Sequence, residues 1–278
     1  MEPSSQYPSP LSQGASGAYL QIAIDGPAGS GKSTIGERVA RSLGYVYVDT
    51  GAFYRALTAL ALDEGIAPEN GPALAALAAR TPIRIVAPTV ADGRQYTVLA
   101  NARDVTRELR TPEVEAAVSE VSHHGEVRVL MRERQQQSAD ALNVVMVGRD
   151  IGTVVLPHAD LKIFLTTSLD ERALRRHTDL VATKGAQAPS LEEVREEIAA
   201  RDAGDANQLR AAADAIVINN DNLTPQETVA QILVLVQQRL RERADRERAD
   251  REALEQRPGG TAGARGGGIG GGTSGGTA

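Results

Sequence analysis

The sequence predicts a doubly wound α/β domain built on about five parallel strands. Three observations carry this. A short apolar run, Leu20 to Asp25, stops at glycine; a helical pattern follows, and then a second β-rich run, Tyr45 to Val48. Three later runs, Asn143 to Val147, Leu161 to Thr166 and Ala215 to Ile218, have the same continuous apolar character, separated by helical patterns. Such runs suit strands buried on both faces of a parallel sheet.

Taken in order, Leu20 to Asp25 is the first strand. Thr34 to Leu43 carries Ile35, Val39 and Leu43 at helical spacing and ends at Gly44, a natural helix stop. Tyr45 to Val48 completes a βαβ unit. The middle differs. Pro82 to Asp104 contains IRIVAP, QYTVLA and RDVT with Asp92-Gly93 as a turn signal, which predicts a small antiparallel insertion. Pro112 to Gln137 reads as helix, broken near His123-His124-Gly125. The stretch 170–205 is rich in Arg, Glu and Ala, with ATKGAQAPS as a loop between two helices. Thr224 to about Glu255 reads as one helix whose latter part holds RERAD twice. That repeat suits a solvated face laced with ion pairs, with a partner-binding helix as the alternative. The first 18 residues, rich in Ser, Pro and Gln, and the Gly-rich segment 258–278 have compositions that cannot bury a core.

Composition narrows the function. Apolar residues make up 41% of the 278 and aromatics 3%, so the core rests on Val, Ile, Leu and Ala. The formal charge of −6 gives no overall attraction to nucleic acid polymers or anionic membranes. There is no cysteine, which excludes disulfides and thiolate metal sites and fits a reducing cytoplasm. No run has the roughly 18 apolar residues of a membrane span, and the N-terminus does not read as a signal peptide.

The chemistry begins at Gly26-Pro27-Ala28-Gly29-Ser30-Gly31-Lys32-Ser33, followed by Thr34, which fits G-x-x-x-x-G-K-[ST] in full. Phosphates need several N–H donors converging on one point, and glycines allow the positive-φ turns that aim them. The following helix adds free amides and the positive end of its dipole. Lys32 can reach the β- and γ-phosphates, and Ser33 can hold Mg²⁺. The loop specifies a donor only: an ATPase, a GTPase switch and a small-molecule kinase all carry it.

A kinase also needs cations off this loop. Asp49-Thr50-Gly51-Ala52-Phe53-Tyr54-Arg55 directly follows the second strand, where ligands bind in open α/β sheets. Thr50 and Arg55 are therefore candidates for the acceptor site; a strand-ending turn with a surface arginine is the alternative. Gly148-Arg149-Asp150 sits at another predicted strand end. Arg201, Asp202 and Asp205 close the Arg-rich stretch, and Arg172, Arg175 and Arg176 share a helical face by spacing.

The series IAIDGPAGSGKST, DTGAFYRALT, DVTRELRTPEV, GRDIGTVVLPHADLKIFLTTS, ERALRRHTDL and RDAGD resembles bacterial cytidylate kinases, P-loop nucleoside monophosphate kinases specific for CMP and dCMP, from Leu20 to about Leu240. The resemblance implies a P-loop kinase core over 19–240, with a CMP-binding antiparallel insertion at about 80–140 and a helical lid at about 170–205. Residues 241–257 are left as a charged helical extension. It implies transfer of the γ-phosphate of MgATP to CMP or dCMP, in pyrimidine nucleotide metabolism, by a cytoplasmic monomer. The loop 26–33 with Thr34 would hold ATP and, through Ser33, Mg²⁺, assisted by Arg172 and Arg176 of the lid. Thr50, Arg55, Arg110, Arg149, Arg201 and Asp205 fall on acceptor-site positions, and Ser119, Arg128 and Asp150 on a cytosine-reading trio. Cytosine offers an N4 donor with N3 and O2 acceptors, so a carboxylate with Ser and Arg donors is complementary. Lys32, Arg55, Arg149 and Arg201 would carry the transition-state charge. Gln208 stands where the family usually has a further arginine, with Arg210 two residues on as a replacement. The alternatives are a kinase for another small acceptor, such as UMP or shikimate, and a catalytically weak nucleotide-binding protein.

Overall fold

The computed structural model describes residues 19–206 and 208–255, so both expected tails, 1–18 and 258–278, lie outside the described residues. The chain divides into two compact units at Arg239–Leu240. The first holds a parallel sheet of five strands: β1 (Gln21–Asp25), β2 (Val46–Asp49), β6 (Val144–Gly148), β7 (Leu161–Thr166) and β8 (Ile216–Asn219), in the order β2-β6-β1-β7-β8. All four pairings are parallel. Between β2 and β6 lies the antiparallel sheet of β3 (Ile83–Val86), β4 (Thr97–Ala100) and β5 (Arg103–Asp104). Gly93 takes φ 85° in the loop joining β3 to β4, at the Asp-Gly turn.

The described residues also hold eight α-helices, beside three short helical turns of other types: α1 (Lys32–Leu43), α2 (Gly51–Asp63), α3 (Gly71–Arg80), α4 (Pro112–His123), α5 (Gly125–Gln137), α6 (Leu169–Lys184), α7 (Leu191–Asp205) and α8 (Pro225–Glu255). The break between α4 and α5 falls at His124, as the sequence predicts. Two expectations shift. α1 starts at Lys32, not Thr34, because its first two residues are polar and carry no apolar signal. α6 runs on through Ala182-Thr183-Lys184, which the sequence places in a loop; those residues are acceptable helix formers, and the helix stops at Gly185, with φ 56°.

Because side chains alternate along a strand, each sheet face has its own core. Ala23, Val48 and Met146 face Phe53, Leu57, Leu74, Val121 and Met131 of α2 to α5. Ile22, Ile24, Val145, Val147 and Ile163 face Ile35 and Val39 of α1 and Ile232 and Val236 of α8. Phe53 is fully buried. Phe53→Ala is expected to destabilise the domain by about 3–5 kcal/mol, read as a lowered denaturant midpoint at unchanged slope.

α6 and α7 pair around a separate small core of Ala173, Leu180, Val194 and Ile198. Ser190 caps α7 with Glu193 in a reciprocal capping box. In the second unit the continuation of α8 is largely exposed and carries the ion pairs Arg243–Glu247 and Arg248–Asp245. No helix among the described residues is long and apolar enough to cross a membrane.

Candidate active site

The site is assembled at the carboxyl ends of β1, β2 and β6, where the strand order crosses over. After β1 the chain turns through Gly26 (φ 150°) and Gly31 (φ 84°) into α1. A Cβ on Gly26 would lie 2.4 Å from the Leu165 carbonyl oxygen, so only glycine lets the loop leave the sheet here. No side chain caps α1, which leaves its first amides free to meet an anion. Asn220, buried beyond β8, braces the loop by donating to the Ser30 carbonyl at 3.0 Å. Lys32 is 7% exposed, and its ammonium donates to the Pro27 carbonyl at 2.5 Å. Burial holds its pKa well below the usual lysine range, and Arg149 adds to the effect.

Ser33 Oγ lies 3.5 Å from Asp49 Oδ2 at the end of β2. Tyr96 reaches the same oxygen from the insertion, its hydroxyl at 3.5 Å. Thr50 is buried and donates to the Val147 carbonyl at 2.8 Å, which ties the end of β2 to β6. Arg55, near the start of α2, donates through Nε to Glu115 at 3.1 Å, and Arg110 donates to the same carboxylate oxygen at 3.0 Å. Beyond β6, Arg149 Nε donates to Asp205 at 2.8 Å. Arg201 is half-buried; burial lowers its pKa, and the neighbouring charges of Arg149 and Arg55 lower it further. Lys32, Arg149, Arg201 and Arg55 therefore form a line of cations, Arg149 and Arg55 lowering the pKa of their neighbours, from the glycine-rich loop to α2. Such a cluster of cations in a cleft marks a candidate anion site.

Arg128 on α5 donates to Asp150 at 2.5 Å. A cavity of about 60 Å³ opens beside them, lined by Tyr54, Gln135 and Val155 among others. Gln135 is buried there, its side chain beside the Tyr54 hydroxyl. Ser119 is exposed on α4, and Ser122 donates to its carbonyl.

The three arginines of α6 part company despite their spacing. Arg172 is 5% exposed, binds Asp202 through both Nη atoms (3.0 and 2.6 Å) and donates to the Ala28 carbonyl of the phosphate loop. Arg175 turns to Glu171 and the Asn220 carbonyl, and Arg176 is exposed. Gln208 follows α7 in a turn, its amide bonded to the Asp205 carbonyl at 2.8 Å. Arg210 is exposed, and no ion pair holds it among the described residues. Sequence reasoning missed Asp25, Asp49, Glu115, Gln135 and Asn220 as site residues. An acid ending an apolar strand was a visible signal for Asp25 and Asp49; nothing local marks the other three.

The sheet, the phosphate loop and the cation line define a P-loop phosphotransferase. A family model described as cytidylate kinase matches residues 22–238. Similar curated proteins include the cytidylate kinase of Chloroflexus aggregans, 52% identical over 76% of this chain and 91% of that one. That of Roseiflexus castenholzii is 49% identical over 78% and 94%, and that of Halalkalibacterium halodurans 43% over 80% and 99%. The chain belongs to the cytidylate kinase family.

Proposed function

We infer that the chain is a phosphotransferase that moves the γ-phosphoryl group of ATP to CMP or dCMP, giving ADP and CDP or dCDP. The observation that carries this reading is the cation line from Lys32 through Arg149 and Arg201 to Arg55, in a chain of net charge −6. In the reaction an oxygen of the acceptor phosphate attacks the γ-phosphorus, and the bond to the bridging oxygen of ADP breaks. The acceptor oxygen is already nucleophilic, so catalysis is positioning and charge neutralisation.

The amides of 26–34 and Lys32 hold the donor phosphates. Arg149 and Arg201 lie between donor and acceptor and stabilise the equatorial oxygens in transfer. Arg55 and Arg110 take the acceptor phosphate, Asp205 orients Arg149, and Thr50 sets the end of β2 beside them. Asp150 accepts from the cytosine N4 amino group while Arg128 donates to the acceptor edge; Ser119 joins them on closure of the insertion. Arg172, and Arg176 on the lid surface, approach ATP as the lid closes, excluding water. Mg²⁺ fits the corner where the Ser33 hydroxyl faces the Asp49 carboxylate, both hard oxygen donors. When bound it neutralises charge on the β- and γ-phosphates.

A monomer is the working unit proposed, as the resemblance to the family implies. Both substrates are charged nucleotides that do not cross membranes unaided, which supports a cytoplasmic enzyme in pyrimidine nucleotide metabolism. A coupled ADP-release assay across CMP, dCMP, UMP, AMP and shikimate tests the reading. CMP and dCMP are expected to turn over; the absence of CMP-dependent turnover would overturn it.

A further inference from the structure

None of these steps uses Asp25, yet it is a buried acid in contact with both halves of the site. It ends β1 directly before the phosphate loop and is 3% exposed. In the sheet it stands in register with Gly148, so Arg149 and Asp150 begin one residue further along the neighbouring strand. One carboxylate oxygen accepts from the Ile151 amide at 2.7 Å and the other from the Gly152 amide at 2.8 Å. These two amides open the π-helical turn Ile151–Val155 that follows Asp150. Gly152 leaves no slack: a Cβ there would lie 3.3 Å from Asp25 Oδ2 and 3.2 Å from the Lys162 stem. On the other side of the clasp, the Gly26 carbonyl lies 3.5 Å from Arg149 Nη1. A carboxylate is costly to bury unless its hydrogen bonds are made, and these two join segments 126 and 127 residues apart.

We propose that Asp25 is a positioning residue for the acceptor base: by gripping the amides of Ile151 and Gly152 it sets the direction from which Asp150 meets the pyrimidine and ties that direction to the phosphate loop. The proposal rests on the reading of Asp150 as the group that faces the base. The charged groups around Asp25 are Lys32 from α1, Asp150 from the turn and the Lys162 stem from β7. Burial pushes its carboxyl up to about 6, against the lowering effect of the two amide bonds; Asp150 raises it and Lys32 lowers it. As pH falls through that value a proton turns one accepting oxygen into a hydroxyl, and one amide loses its partner. Asp25→Asn imitates that protonated state at every pH.

The test measures kcat and KM for CMP and for ATP from pH 5 to pH 8 in the full chain, for wild type, Asp25→Asn, Gly152→Ala and Asp150→Ala. Asp25→Asn is expected to raise KM for CMP about tenfold at pH 8 with KM for ATP changed less than about twofold. The wild-type advantage in kcat/KM for CMP is expected to shrink towards one near pH 5. The substrate phosphate also titrates near pH 6, but it does so for both enzymes and cancels in the ratio. Gly152→Ala keeps the carboxylate but crowds it, and gives the same CMP-selective rise even if Asp25→Asn does not fold. Equal rises for both substrates, a ratio constant with pH, or unchanged CMP constants in either folded variant would overturn the proposal. If Asp150→Ala raises KM for CMP and Asp25→Asn does not, the proposal alone falls. If Asp150→Ala leaves CMP untouched, the base-reading falls and takes the proposal with it.

Discussion

Lys32→Met lowers kcat by about 10²–10³-fold while leaving the fold intact. Removing one preorganised donor from a site where charge develops has an effect of that order, roughly 3–4 kcal/mol of barrier. Methionine reproduces the length of the buried stem and deletes the ammonium. The deleted charge is one that burial and Arg149 already disfavour in the free protein. The variant is therefore expected to unfold no earlier than wild type without nucleotide, and to lose most of the stabilisation that ATP confers. Single-turnover kinetics with thermal unfolding, with and without ATP, checks both halves. A kcat within tenfold of wild type would show that the lysine does not meet the transferring phosphoryl group.

Asp150→Ala raises KM for CMP roughly 10- to 100-fold and removes the preference for CMP over UMP, with KM for ATP little changed. A hydrogen bond to a charged group is worth about 1.5–3 kcal/mol. The same change strips Arg128 of its carboxylate at 2.5 Å. Uracil presents O4 where cytosine presents an amino donor, so wild-type Asp150 faces it acceptor to acceptor; alanine abolishes that penalty together with the gain. Steady-state constants for CMP, UMP and ATP decide the matter. Parallel loss of CMP and ATP affinity would mean that Asp150 supports the fold of the site and does not read the base.

What the sequence made legible follows from how local each constraint is. The phosphate loop must satisfy its geometry with consecutive residues, so Gly26 to Ser33 declares itself. The sheet was legible because strands buried on both faces read as unbroken apolar runs, as in Val144 to Val147. Partners brought together by folding leave no such mark. Glu115 receives Arg55 across 60 positions, and Asn220 reaches Ser30 across 190. Spacing placed Arg172, Arg175 and Arg176 on one helical face, but packing decides their roles. α7 offers Arg172 a carboxylate, the end of β8 offers Arg175 a carbonyl, and Arg176 faces outward. Ser119 shows the same limit: the resemblance alone assigns it to the cytosine-reading trio, while its exposure on α4 is a matter of tertiary structure.

The hairpin of α6 and α7 has a mechanical consequence. With its own apolar centre and the two-pronged Arg172–Asp202 pair, it is held as a single stiff unit, so the lid closure proposed above would swing it as one lever. Rotation is then confined to the residues before Leu169 and after Asp205. The lever touches the phosphate loop through the same arginine that stiffens it, at Ala28. Stiffness and contact cannot be varied separately in such a device: a change at Arg172 parts α6 from α7 at their root and frees that root from the loop together.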